Sequence, residues 1–193
     1  MLAYTGLRWG EATALQVKRV DLMRRRLEIV RNAIDLGREI TYGTPKTHQH
    51  RSVPIPRSLV DELAEHMVGK QPEDLVFVSS RGAPLRNHNF RSRVFAPAAV
   101  AIGVPQLTPH DLRHTAASLA VQAGANVKAV QRMLGHASAA MTLDVYAGLF
   151  ADDLDAVADR LDEAAARARA DHVRTQAGSA DVLPLDLGGA HGL

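Results

Sequence analysis

The chain has 193 residues and no cysteine, which allows one sizeable core and excludes disulfide frameworks and thiolate metal sites. No apolar run approaches the roughly 18 residues of a membrane span. The net charge of +2 conceals an asymmetry, with 19 Lys and Arg against 12 Asp and Glu over residues 1–149, and 4 against 9 over residues 150–193.

The opening MLAYTGLRWGEA lacks the basic flank and apolar stretch of a signal peptide, so a cytoplasmic setting is expected. Leu2 to Tyr4 read as the end of an apolar helix broken by TG at 5–6, and residues 7–17 as a helix with Leu7, Ala14 and Leu15 inward. Strands are expected at 27–34, 39–44 and 51–56, with a shorter one at 75–79, because these runs are β-branched and bounded by turn residues. Helices are expected at 58–68, 87–102, 109–123, 126–134 and 138–149. The fold class is therefore mainly α with a small three-stranded antiparallel sheet (α+β). Residues 151–173 form an amphipathic helix in this reading, with apolar positions at 154, 157, 161, 164 or 165 and 168. Residues 174–193 turn to Gly, Ala, Asp and Pro without periodicity and are expected to be disordered.

Several side chains stand out for their chemistry. Arg8 opens a helix with Glu11 one turn on, an arrangement that orients a guanidinium or forms an ordinary surface ion pair. Lys46, in TPKTHQHRSVPI, either delivers a proton from a hairpin turn or keeps an edge strand soluble. In TPHDLRHT, Thr108 is an N-cap, Pro109 suits the first helical position, and Asp111 completes a capping box. His110 and Arg113 then share one helix face at the electropositive end, a geometry suited to an anion. His114 points to another face and reads as packing or as a support. His136 follows Gly135 in MLGH and can cap the preceding helix. Tyr146, among Leu143, Val145 and Leu149, suits a core position as well as a nucleophile. Residues 115–134 also carry helix-turn-helix spacing with Gly124 at the bend, which leaves open a non-catalytic DNA-binding or regulatory module.

The stretches TGLRWGEATAL, TPKTHQHRSVPIP, LTPHDLRHTAASLAVQAG and QRMLGHASAAMTLDVYAGLF, in this order, resemble the catalytic domain of the tyrosine recombinases, the phage-integrase family. The resemblance covers about residues 1–150. It places Arg8, Lys46, His110, Arg113, His136 and Tyr146 on the family's six active-site positions and Glu11 on its supporting acid. It also implies an N-terminal DNA-clamping domain that this sequence lacks, so the sequence is expected to be a fragment.

The implied reaction is site-specific DNA recombination, in which Tyr146 attacks a phosphodiester to give a 3′-phosphotyrosine and a free 5′-hydroxyl. Arg8 and Arg113 would hold the non-bridging oxygens, and His136 would donate a hydrogen bond to the phosphate. Lys46 would protonate the leaving oxygen, and His110 would help take the phenol proton. Neither metal nor cofactor is implied. The expected partner is double-stranded DNA, with a homo-tetramer on DNA and a monomer when free, the helix at 151–173 packing on a neighbouring protomer or back onto its own domain.

Overall fold

The computed structural model describes residues 1–44, 50–150 and 154–178. Lys46 and residues 179–193 lie outside the described residues, as does the outcome expected for each.

Helix α1 (Leu2–Thr5) ends at Gly6, which adopts the left-handed conformation with φ 64°. A Cβ there would lie 2.6 Å from Leu134 Cδ2, so glycine is required twice over. Helix α2 (Trp9–Thr13) is shorter than the run expected over 7–17. Arg8 stays extended as its N-cap. Beyond Ala14 the backbone is claimed by a distant loop, with Val76 N–H donating to Leu15 O at 2.8 Å and Val17 N–H to Asp74 O at 3.0 Å. For the same reason residues 75–79 form no strand; they contribute single bridges, Gln16 to Leu75 and Val78 to Pro84.

The sheet has three antiparallel strands, as expected in number but not in membership. Strands β1 (Val20–Asp21), β2 (Arg26–Ile29) and β5 (Arg51–Pro54) lie in the order β1-β2-β5, with Leu27 opposite Val53. Strands β3 (Asn32–Asp35) and β4 (Ile40–Gly43) pair separately as a hairpin. The run expected as one strand over 27–34 thus divides between two sheets. Its second half packs over α2 at Gly10, where a Cβ would collide with the Ala33 carbonyl and lie 2.5 Å from Asn32 Oδ1.

Helix α3 (Val60–His66) follows a single 3₁₀ turn. The helical run expected over 87–102 is present as α4 (Asn87–Phe90) and α5 (Ala96–Ala101), joined by a π-type turn over Arg91–Phe95. Pro97 accounts for the widening, since it has no N–H and its ring crowds the carbonyl four residues earlier.

Three helices complete this unit: α6 (Asp111–Gln122), α7 (Val127–Leu134) and α8 (Ala139–Tyr146). The side chains of Asn126 and Ser138 cap α7 and α8 by accepting from Ala129 N–H and Met141 N–H. Helix α1 packs on α6, α6 on α7, and α7 on both β5 and α8. Leu7, Leu27, Ile29, Val53, Val76, Val130 and Leu134 form the centre of the core, each at most 2% exposed. Side chains of this size contribute about 1.5–3 kcal/mol apiece when fully buried.

Residues Met1–Phe150 form one unit and Ala151–Leu193 a second. The second contains helix α9 (Leu154–Gly178), which continues past the end expected at 173. Its residues 158–172 are exposed, Leu161 included. No helix among the described residues is long and apolar enough to cross a membrane.

Candidate active site

Glu11 is the anchor of the site. It is 1% exposed and faces two arginines. Its carboxylate accepts from Arg8 N–H at 2.9 Å and from Arg8 Nη1 at 3.1 Å. It also accepts both arms of the Arg51 fork, Nη1 at 2.8 Å and Nη2 at 2.6 Å. Burial by itself would raise the pKa of Glu11, but the Arg51 and Arg8 interactions outweigh it and hold the carboxyl below its usual range. The Arg8–Glu11 pair is therefore part of a buried network and not a surface ion pair.

Arg51 was not anticipated as a member of this site. Its Nε donates to Met133 O at 3.1 Å, which ties the end of α7 to the strand. Strand alternation carries the signal, because Arg51 stands two residues before buried Val53 and so shares its inward face. Gly135, in the left-handed conformation with φ 66°, closes α7 directly over the Arg51 guanidinium; a Cβ there would lie 3.0 Å from it.

Arg113 comes from the first turn of α6 and is 4% exposed. It donates to the Gly6 carbonyl and, through Nη2 at 2.7 Å, to Leu134 O. Burial, reinforced by the neighbouring Arg8, lowers its pKa to about 10, so it remains charged at neutral pH. The helix starts at Asp111 with His110 as its N-cap, two residues later than expected, but the Thr108–Asp111 hydrogen bonds are formed. Thr108 N–H and Oγ1–H both donate to Asp111 Oδ2 at 2.8 Å, and Asp111 N–H points back to Thr108 Oγ1 at 3.4 Å. Arg8, His110 and Arg113 line one cleft of about 200 Å³, together with Asn87 and Arg91 of the preceding helical run. Asn87 and Arg91 were also not anticipated.

Tyr146 ends α8 and is 5% exposed. Its ring stacks on His136, with centroids 6.4 Å apart and planes 8° from parallel. Burial raises the pKa of its phenol, and Arg113 partly opposes the rise. His136 hangs from the end of α7, its N–H donating to Gln131 O and its carbonyl accepting from Gln131 Nε2, both at 3.1 Å. Its Nδ1 lies 3.0 Å from Thr142 Oγ1. Burial, followed by the charges of Arg113, Arg8 and Arg51, lowers the His136 pKa to about 4, so its ring is neutral at pH 7. A hydroxyl that donates to Nδ1 leaves the hydrogen on Nε2, a suitable donor to an anion.

Of the two readings of His114, the structure favours a support over packing. His114 is exposed, and its Nδ1 lies 2.9 Å from Tyr146 Oη. His110 meets it edge-on, with ring centroids 5.3 Å apart. The structure thus brings Arg8, His110 and Arg113 to one cleft, with Glu11 bonded to Arg8, and joins His136 to Tyr146; Lys46 lies outside the described residues. The bend at Gly124 does join two helices, but Val130, Met133 and Leu134 of α7 are in the core. That helix is packed as scaffold for Arg51 and His136, which removes the ground for reading 115–134 as a free-standing helix-turn-helix.

The fold is that of a tyrosine recombinase catalytic domain. It superposes on the Tn1549 transposon integrase, solved in complex with transposon right-end DNA, with a TM-score of 0.70 and 22% identity over 85% of this chain and 56% of that one. The integrase of Mycobacterium phage D29 is 33% identical over 175 residues, 86% of this chain and 46% of the phage protein. The tyrosine recombinase XerC of Mycobacterium leprae (strain TN) is 32% identical over 142 residues, 74% of this chain and 46% of its own length. The phage integrase family profile matches residues 1–152, and the chain belongs to that family. It spans about half the length of the curated relatives it matches.

Proposed function

We propose that this chain is the catalytic portion of an integrase-type site-specific recombinase, which cleaves and rejoins DNA through a 3′-phosphotyrosine on Tyr146. The observation that carries this reading is the convergence of two arginines, Arg8 and Arg113, on a cleft beside a buried tyrosine stacked on a neutral histidine.

A phosphodiester in the cleft would offset the excess cationic charge left by Arg8, Arg51 and Arg113 around the single Glu11 carboxylate. Arg8 and Arg113 would hold its non-bridging oxygens, and His136 Nε2–H would add a third donor. Fixed donors of this kind are worth about 3–4 kcal/mol each where charge develops in the transition state. Lys46 is assigned the protonation of the leaving 5′-oxygen on its motif alone. The covalent intermediate keeps the phosphoryl bond available to a second 5′-hydroxyl. Double-stranded DNA is the proposed partner, consistent with the basic balance of residues 1–149. Helix α9 is proposed to dock on a neighbouring protomer in a tetramer assembled on DNA.

A nicked suicide substrate tests the reading. The chain is expected to form a covalent protein–DNA adduct that Tyr146→Phe abolishes. No adduct at saturating protein, or one that persists in Tyr146→Phe, overturns it.

A further inference from the structure

We infer that His114 accepts the Tyr146 proton during strand cleavage and returns it during rejoining. This rests on the recombinase reading above and deepens it.

A buried phenol whose pKa is raised enters the reaction protonated, and its O–H bond must break as the oxygen bonds to phosphorus. The acceptor has to lie within hydrogen-bond reach of Oη. His114 Nδ1 does, at 2.9 Å. The other histidines are placed for different work. His136 lies face to face with the phenol, so its ring nitrogens sit in a parallel plane, and its Nδ1 is engaged with Thr142 Oγ1. His110 reaches the tyrosine through His114, against which its ring stands edge-on at 86°. The guanidiniums are donors only. Helix α6 thus sends Arg113 inward to grip an anion, and one residue later His114 toward the nucleophile.

The step balances without a further reagent. Tyr146 Oη attacks phosphorus; its proton passes to His114 Nδ1, which becomes an imidazolium. The bond from phosphorus to the 5′-oxygen breaks, and that oxygen takes a proton from the general acid, the role proposed for Lys46. Rejoining runs the transfers backward. The 5′-hydroxyl attacks the phosphotyrosine, giving up its proton to the same acid, and His114 reprotonates the departing phenolate. Because the His114 ring is exposed, its second nitrogen can exchange protons with water between turnovers.

Acid therefore slows cleavage by protonating the acceptor. The groups facing His114 are His110 and Asp111 on its own helix and Tyr146 on α8, with His136 behind the phenol; the 3₁₀ turn Ala147–Leu149 packed on α6 brings none.

The experiment measures single-turnover adduct formation by the full 193-residue chain on a nicked suicide substrate, across pH, for wild type and His114→Asn. Asparagine can still orient the phenol but cannot hold its proton. The expected result is a loss of about 100-fold or more and disappearance of the acid limb, with DNA retention preserved. Free imidazole is expected to restore cleavage to His114→Ala. A His114→Asn rate within about threefold of wild type, with the same acid limb, overturns the inference, because smaller changes fall below the range of general-base effects. Should these variants fail to fold, ¹⁵N NMR of the wild-type ring decides: hydrogen on Nε2 supports the assignment, and hydrogen on Nδ1 overturns it. If wild type gives no adduct that Tyr146→Phe removes, the recombinase reading falls and takes this one with it. If wild type reacts and His114→Asn matches it, only the proton acceptor is wrong.

Discussion

The two halves of the candidate site are built differently. The arginine half is buried and cross-linked: Glu11 binds two guanidiniums, Arg51 reaches Met133 O, and Arg113 is bonded to the carbonyls of Gly6 and Leu134. In the tyrosine half the two rings rest on each other and on one side-chain hydrogen bond apiece, His136 to Thr142 Oγ1 and Tyr146 to His114 Nδ1. In the proposed reaction the charge that would bind the phosphate is thereby fixed in advance, which avoids reorganisation. Tyr146, the proposed nucleophile, is held by fewer ties.

Changes in the arginine half should therefore cost stability first, and changes in the tyrosine half should cost rate first. Glu11→Ala breaks the contrast most severely. It leaves the largely enclosed Arg51 guanidinium without its counter-charge, and a loss of about 3–5 kcal/mol is expected in urea unfolding. The same carboxylate sets an acid limit. Its pKa is lower in the folded chain than the ordinary 4.5, so its stabilisation is present above that value and is lost as pH falls through the folded pKa. A urea midpoint that stayed level down to pH 3 would contradict this.

Gly135→Ala comes next, because it imposes left-handed backbone on a β-carbon and presses on the Arg51 guanidinium. About 1–2 kcal/mol is expected from the backbone alone, read as a lowered melting temperature. Thr142→Val is the mildest. It removes the partner of His136 Nδ1, with about 0.5–1.5 kcal/mol of stability lost, and its main signature should be slower adduct formation. A Thr142→Val chain that unfolded like Glu11→Ala would erase the distinction between the halves.

What could be read from sequence follows the range of the interactions. The Thr108–Asp111 box and the helix stop at Gly135 depend on neighbours within a few residues and appear where the motifs placed them, whereas the helix expected over 138–149 ends at Tyr146 and gives way to a 3₁₀ turn. The division of 27–34 depends on Gly10, far away in sequence, admitting the backbone of β3. Arg51 needed two facts at once, the inward face it shares with Val53 and a buried carboxylate forty residues earlier. His114 could be read only as packing or a support because helix periodicity gives a direction but not what waits there; α8 returns to meet it thirty-two residues later.

The Gly6 junction has a mechanical consequence. Its carbonyl is clasped by Arg113 while its bare α-carbon is pressed against Leu134, so the first turn of the chain, the start of α6 and the end of α7 share a single pivot. A displacement of α1 would therefore have to carry the Arg113 guanidinium with it or break that bond.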